Sequence, residues 1–278
     1  MPTSEADYCR DRVRQLDRDH YLSALYAPEE KRAQLFALYA FNAEVAEVTE
    51  RVKDPMPGEI RLQWWREVLT GGSYGAEGSP IAAPLLAAIV ENKVPRSAFD
   101  TYLDARIGDL YADPFENRTD LEAYCGATAS TIIQVAALML DGDAARTITD
   151  AAGHGGCARA IAGLVRLIPL HRRRGKCTVP RDLLAAAGLT PEQFLTNEDP
   201  AAVASAVGMM IALAQEHLKR FEAAAVGTPA SLRSAFLPVA MTAAYLEKLR
   251  PDAPFDQAPP VSELRRQWIM MRRASRGW

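Results

Sequence analysis

The chain is 278 residues long, 49% hydrophobic, and carries a net charge of −3. That size and apolar content suffice for a large core, and the slight acidity argues against general nucleic-acid binding. Four cysteines without CxxC spacing and four dispersed histidines exclude a legible disulfide framework or His/Cys metal cluster. Residues 1–20 are charged throughout and unlike a signal peptide, and no run approaches about 18 apolar residues. The expectation is a cytoplasmic protein, peripheral at a membrane at most, that is neither secreted nor membrane-spanning.

Helical periodicity dominates and no alternating strand stands out, which predicts an all-α fold. A first helix covers Glu5 to Leu16, and Asp17, Asp19 and His20 follow it. Pro28-Glu29-Glu30 starts the next, whose stretch Leu35 to Phe41 (LFALYAF) is apolar on nearly every face and must be central. Beyond it Glu44, Glu47 and Glu50 step by three, spreading over about 120° of helix surface. They read either as a residual cation site or as a polar face in which Glu47 pairs with Arg51 at i, i+4. Pro57-Gly58-Glu59 opens a helix through Trp64 and Trp65, closed by Gly71-Gly72. One Trp is expected in the core and the other beside a cavity. Ser73 to Ser79 is a Gly/Ser loop without the Lys-Ser/Thr of a phosphate-binding loop. Helices over Ile81–Val90 and Phe99–Tyr111 come next. In the second, Asp104 and Asp109 lie on different faces and read as ordinary surface acids.

Thr119-Asp120-Leu121-Glu122 is a capping-box signature for a helix reaching about Leu140. Its small residues Gly126, Ala127, Ala129 and Ser130 suit close helix approach or a chain-like ligand. After the glycine-rich residues 153–156, the stretch Ala158 to Pro180 begins as a small-residue helix and ends in a basic cluster. Between Arg159 and Lys176 there are six Lys/Arg and no Asp or Glu. Pro169 lacks a backbone donor and crowds the Val165 carbonyl, so the helix should kink or end between Leu167 and His171. The arginines 172–174 are either an anion site or a solvated basic helix end. Thr190 to Gln193 forms another capping box, followed by helices over Pro200–Ala225 and Pro229–Leu249. Pro251 to Pro260 reads as a Pro-rich linker, which divides a helical domain (1–250) from a tail (251–278). The tail, Ser262 to Trp278, has five Arg against Glu263 and suits a helix on an anionic bilayer. The alternative is a terminal helix docked on the core.

Several of these words, in this order from about Tyr8 to Leu249, resemble the squalene/phytoene synthase family. They are Tyr39-Ala40-Phe41, Gln63-Trp64-Trp65-Arg66-Glu67, Asp109-Leu110, Tyr124-Cys125-Gly126, and Gly175-Lys176 with Val179-Pro180. The resemblance implies an isoprenoid-synthase-like bundle of helices around a central cavity. It also implies head-to-head condensation of farnesyl or geranylgeranyl diphosphate on Mg²⁺ held by two Asp-rich motifs. Here the first motif's acids fall on Ala46, Glu47 and Glu50, and the second motif's on Leu167 and His171. Leu167 cannot ligate Mg²⁺ and neutral His171 is a poor ligand for so hard a cation. Catalytic residues therefore stay unassigned at the degenerate positions Glu44, Glu47, Glu50, Leu167 and His171, and Glu47 and Glu50 are the remaining metal candidates. The ligand or anion candidates implied are Tyr39, Asp109, Arg166, His171, Arg172, Arg173, Arg174 and Lys176. The missing acids, GEIRLQWWRE and DPF…YCG together resemble a divergent branch of the family, similar to a mitochondrial assembly factor for respiratory complex I. The expectation is a non-catalytic factor without a cofactor. It would bind a prenyl chain or other lipid, complex I subunits, and an anionic membrane surface through 262–278. The alternative is a prenyltransferase with an atypical Mg²⁺ site.

Overall fold

A computed structural model describes residues 4–278 apart from 53, 72–75 and 112 and the side chains of 50, 51 and 77. The described residues form helices and no strand. The first half comprises α1 (Glu5–Leu16), α2 (Arg18–Leu25), α3 (Glu29–Arg51), α4 (Pro55–Thr70), α5 (Ala82–Glu91) and α6 (Ser97–Gly108). Next, α7 (Arg118–Cys125) passes through a π-helical turn, Gly126–Ser130, into α8 (Thr131–Leu140). Then come α9 (Thr149–Arg166), α10 (Ile168–Arg173), α11 (Arg181–Ala186), α12 (Pro191–Thr196) and α13 (Pro200–Ala224). The chain closes with α14 (Arg233–Ala240), α15 (Thr242–Leu246) and α16 (Glu263–Arg276).

The core forms around α3. Every residue from Leu35 to Phe41 is at most 4% exposed, as an all-round apolar helix requires. Phe41 meets Trp65 edge-on at 4.9 Å and Phe99 at 5.6 Å, which ties α3 to α4 and α6. Of the paired tryptophans, Trp65 is wholly buried, while Trp64 is covered by the Arg61 guanidinium at 4.0 Å.

Helix boundaries follow local chemistry, with instructive offsets. Asp54 caps α4 by accepting from the Met56 amide, so the helix starts at Pro55 rather than Pro57. Asn117, not Thr119, caps α7 by accepting from the Asp120 amide. Thr190 and Gln193 form the reciprocal capping box ahead of α12. The segment 229–249 is not one helix: a 3₁₀ turn, α14 and α15 follow each other, with a break at Met241 shortly after Pro238. Of the Gly/Ser loop at 73–79, residues 73–75 lie outside the described residues and Ala76–Gly78 form a 3₁₀ turn.

The glycines at 153–156 do not precede a helix but lie inside α9. A Cβ on Gly156 would stand 2.1 Å from Ser130 Oγ and 2.5 Å from the Ser130 amide nitrogen. Close packing of α9 on the π-helical turn thus outweighs the roughly 1 kcal/mol that a helical glycine costs. Small residues in Gly126–Ser130 serve this approach. At the other end α9 stops at Arg166, Leu167 leaves the helical geometry, and Pro169 occupies the first turn of α10.

The C-terminal segment packs on the body of the protein through one face. Phe255 meets Phe194 edge-on at 5.7 Å, and Met270 is fully buried with Leu22, Leu237 and Met241. Two helical stretches, Arg118–Leu140 and Pro200–Ala224, are long and apolar enough to cross a bilayer. Both contribute buried faces to the core, including Ile132, Ile133, Met210 and Phe221.

Candidate functional site

A cavity of about 920 Å³ opens between the C-terminal end of α3, α6, α7, and the break between α9 and α10. Ala46, Val52, Leu110, Phe115, Leu164 and Leu167 supply apolar wall, while Arg106, Asp109, Asp113, Tyr124, His171, Arg174 and Lys176 supply polar wall. This combination suits a ligand with a chain-like body and a polar end.

The polar residues hold one another in place. Asp109 caps the C-terminus of α6 and accepts from Arg106 at 3.1 Å and from the Tyr124 hydroxyl at 2.9 Å. Arg106 also donates to the Tyr124 oxygen at 3.1 Å. After α10 the chain turns back through Gly175, whose φ of +67° suits glycine. The Gly175 amide donates to the Arg172 carbonyl and the Lys176 amide to the His171 carbonyl, each at 2.9 Å. That helix-ending turn sends Lys176 toward the cavity, where Nζ donates to the Asp109 carbonyl at 2.7 Å. Burial lowers the Lys176 pKa, helped by Arg174 and Arg106 and opposed by Asp109. Burial, with Lys176 and Arg174 nearby, pushes His171 down to about 4. His171 is therefore neutral at pH 7, and its buried Nδ1 has no hydrogen-bond partner among the described residues.

Of the sequence candidates, Asp109, Leu167, His171, Arg174 and Lys176 come together on this wall. Asp109 is thus a cavity residue and not an ordinary surface acid, whereas Asp104 is a surface acid paired with Arg66. The other candidates whose side chains are described are turned elsewhere. Tyr39 is 1% exposed and stacks on His20 with ring centres 4.2 Å apart. Glu44 accepts from Arg61 and, at 3.2 Å, from the Trp65 indole. Glu47 pairs with Arg12 of α1, and the Glu50 side chain lies outside the described residues. Arg166 lies over the Tyr245 ring at 4.2 Å. Arg172 donates to the Leu195 carbonyl at 2.7 Å and covers Phe255, and Arg173 is exposed. The run 172–174 is therefore not a single anion site, because successive residues on a helix point about 100° apart.

Asp17 and Asp19 stand in buried networks and do not line the cavity. Asp17 accepts from His20 at 2.6 Å and from Arg159 at 3.4 Å. Burial alone would raise its pKa, but His20 and Arg159 outweigh that and hold it well below the usual carboxylate range. Asp19 accepts from the Tyr245 hydroxyl at 2.6 Å and pairs with Arg266 of α16.

Arg106 and Tyr124 escaped the list of sequence candidates. The signal that could have found Arg106 was its i, i+3 spacing to Asp109; for Tyr124 it was the Tyr-Cys-Gly word. Among the described residues the donor set does not fit Mg²⁺. Ala46, Leu167 and His171 occupy the wall, the Asp109 carboxylate is already bound by Arg106 and Tyr124, Glu47 is bound by Arg12, and Asp113 is left as a lone carboxylate at the rim. Among the described residues no three His, Cys, Asp or Glu side chains gather as a metal site.

The sequence model of squalene/phytoene synthases matches residues 13–267. "NADH dehydrogenase (ubiquinone) complex I, assembly factor 6" of Bos taurus and of Homo sapiens are each 28% identical over 244 residues, spanning 87% of this chain and 73% of theirs. A phytoene synthase of Cereibacter sphaeroides is 28% identical over 211 residues, spanning 71% of this chain and 58% of its own. Among solved structures, a dehydrosqualene synthase in complex with ligand superposes with a TM-score of 0.78 at 17% identity, covering 98% of this chain and 95% of that one. A squalene synthase from Alicyclobacillus acidocaldarius superposes with a TM-score of 0.71 at 19% identity, covering 87% and 92%. The fold is that of the isoprenoid synthases.

Proposed function

The chain belongs to the squalene/phytoene synthase family, and from that premise we propose that it is a non-catalytic lipid- or partner-binding factor in the assembly of respiratory complex I. The observation that carries this reading is the cavity wall. At positions matching the family's acidic motifs, Ala46, Leu167 and His171 face the cavity, beside the cations Arg106, Arg174 and Lys176. Ionisation of a prenyl diphosphate needs the departing diphosphate neutralised as it leaves, and metal ions supply most of that stabilisation. A wall on which Arg106, Arg174 and Lys176 outnumber the carboxylates Asp109 and Asp113 suits holding an anionic headgroup, with the chain in the apolar part. The assembly-factor relatives, similar over most of the chain, support the complex I role.

A second reading, head-to-head prenyl-diphosphate synthase with an atypical metal site, draws on the retained cavity and the similarity to a phytoene synthase. Deletion of the gene separates the two. The expected outcome is lower NADH:quinone oxidoreductase activity with unchanged C30 and C40 terpenoids. Loss of squalene or carotenoid with normal respiration would overturn the assembly reading.

A further inference from the structure

The C-terminal helix α16 has two dissimilar faces. One is anchored: Met270 is fully buried, Arg266 pairs with Asp19, and Arg273 pairs with Glu222 at 3.1 Å. Arg233 of α14 donates to the Ala274 and Ser275 carbonyls, and Trp278 packs edge-on against Phe221 at 5.3 Å. The other face is open, with Leu264 82%, Trp268 55% and Met271 54% exposed. At spacings of four and three these residues form a stripe about 60° wide, turned well away from Met270.

Arginines border this stripe. Arg265, Arg272 and Arg276 fall along one side of it, and the Arg272 guanidinium lies 5.5 Å from the Trp268 ring centre. Arg265 reaches Glu247, whereas Arg272 and Arg276 have no ion-pair partner among the described residues. Although the whole chain is net −3, the segment Ser262–Trp278 holds five Arg and one Glu. The anchored face accounts for packing, so the exposed Leu, Trp and Met add nothing to the fold. None of these residues lines the cavity, so the inference does not depend on the cavity's occupant.

We propose that α16 docks the protein on an anionic lipid surface. Leu264, Trp268 and Met271 enter the boundary between headgroups and acyl chains, and Arg272 and Arg276 meet lipid phosphates. Trp suits that depth because its ring is apolar while its N–H can stay in the polar layer. Charge complementarity favours lipid over a second copy of the helix. Pairing two such faces would bring their uncompensated arginines together, whereas an anionic bilayer offers phosphates beside an apolar phase.

The test uses the full chain with vesicles of phosphatidylcholine, alone or mixed with phosphatidylglycerol. Binding is expected to the mixed vesicles and to weaken with salt. Replacing Leu264, Trp268 and Met271 together by Ser should abolish binding without changing thermal melting, since all three are exposed. Removing Arg272 and Arg276 by substitution with Gln should weaken binding about tenfold or more, at roughly 1 kcal/mol per cation. No binding to anionic vesicles, or binding unchanged in both variants, would overturn the proposal. So would a dimer that the Ser variant dissociates while vesicles are ignored.

Discussion

His171 shows how one side chain reports the character of the cavity. Its pKa of about 4 reflects burial beside Lys176 and Arg174, against an ordinary value near 6.5. The folded state thus takes up this proton less readily than the unfolded chain. The stability contributed is fully present above about pH 6.5, falls as pH drops toward 4, and levels off below. Between pH 7 and pH 5 the expected loss is about 2 kcal/mol for this group. His154, lowered by burial and by its neighbour His217, adds to the loss with the same sign. Urea unfolding of the wild type and His171→Gln at both pH values isolates the His171 share, and an NMR titration should place its midpoint near 4. A midpoint near 6.5 would mean a wet wall with weak cationic character, contrary to the reading of the site.

At the scale of the element, α16 belongs to the fold. Arg266 and Asp19 are only 12% and 8% exposed at their side chains, and Asp19 also holds the Tyr245 hydroxyl. Cutting the chain after Pro260 removes Arg266 and leaves a buried carboxylate without its cation, a loss of about 3–5 kcal/mol for such pairs. It also strips Trp278 from Phe221 and Phe236, and Met270 from Leu237 and Met241. The truncated protein should therefore melt far below the full chain in circular dichroism, or fail to fold. Melting at the full-length temperature would show that the contacts of α16 contribute nothing. Truncation for this reason cannot report on the membrane surface, and substitutions on the exposed stripe can.

For the whole molecule, the decisive quantity is whether ligand affinity depends on a divalent cation. With Ala46, Leu167 and His171 on the wall, calorimetry with farnesyl diphosphate should give an affinity that EDTA changes by less than about twofold. A loss of roughly tenfold or more on chelation would point to a metal site and return the chain to the synthases. Three acidic residues near these helices are bound to cations of the chain itself, Glu44 to Arg61, Glu47 to Arg12 and Asp109 to Arg106, and Asp113 at the cavity rim is a single carboxylate.

Local pattern by itself determined the helical class, the central place of Leu35–Phe41, the break in the helix just ahead of Pro169 and the caps at Thr190 and Gly71. Each depends on side chains within a few residues: apolar periodicity, a missing amide hydrogen, a hydroxyl beside a free N–H, a tolerated left-handed turn. The loss of the acidic pair at Leu167 and His171 was legible in the same way, because it is a matter of residue identity. The tertiary structure decided what depends on residues far apart in the chain. Gly156 is a glycine within a helix because a Cβ there would stand 2.1 Å from Ser130 Oγ, which arrives from the π-helical turn. Asp17 and Asp19 are neutralised by Arg159 and Arg266, which arrive from helices 142 and 247 residues away. Among the clustered cations only Arg174 and Lys176 face the cavity, since the end of α10 and the turn at Gly175 set their directions. Periodicity reads one helix at a time, and these outcomes were set by which helix packs against which.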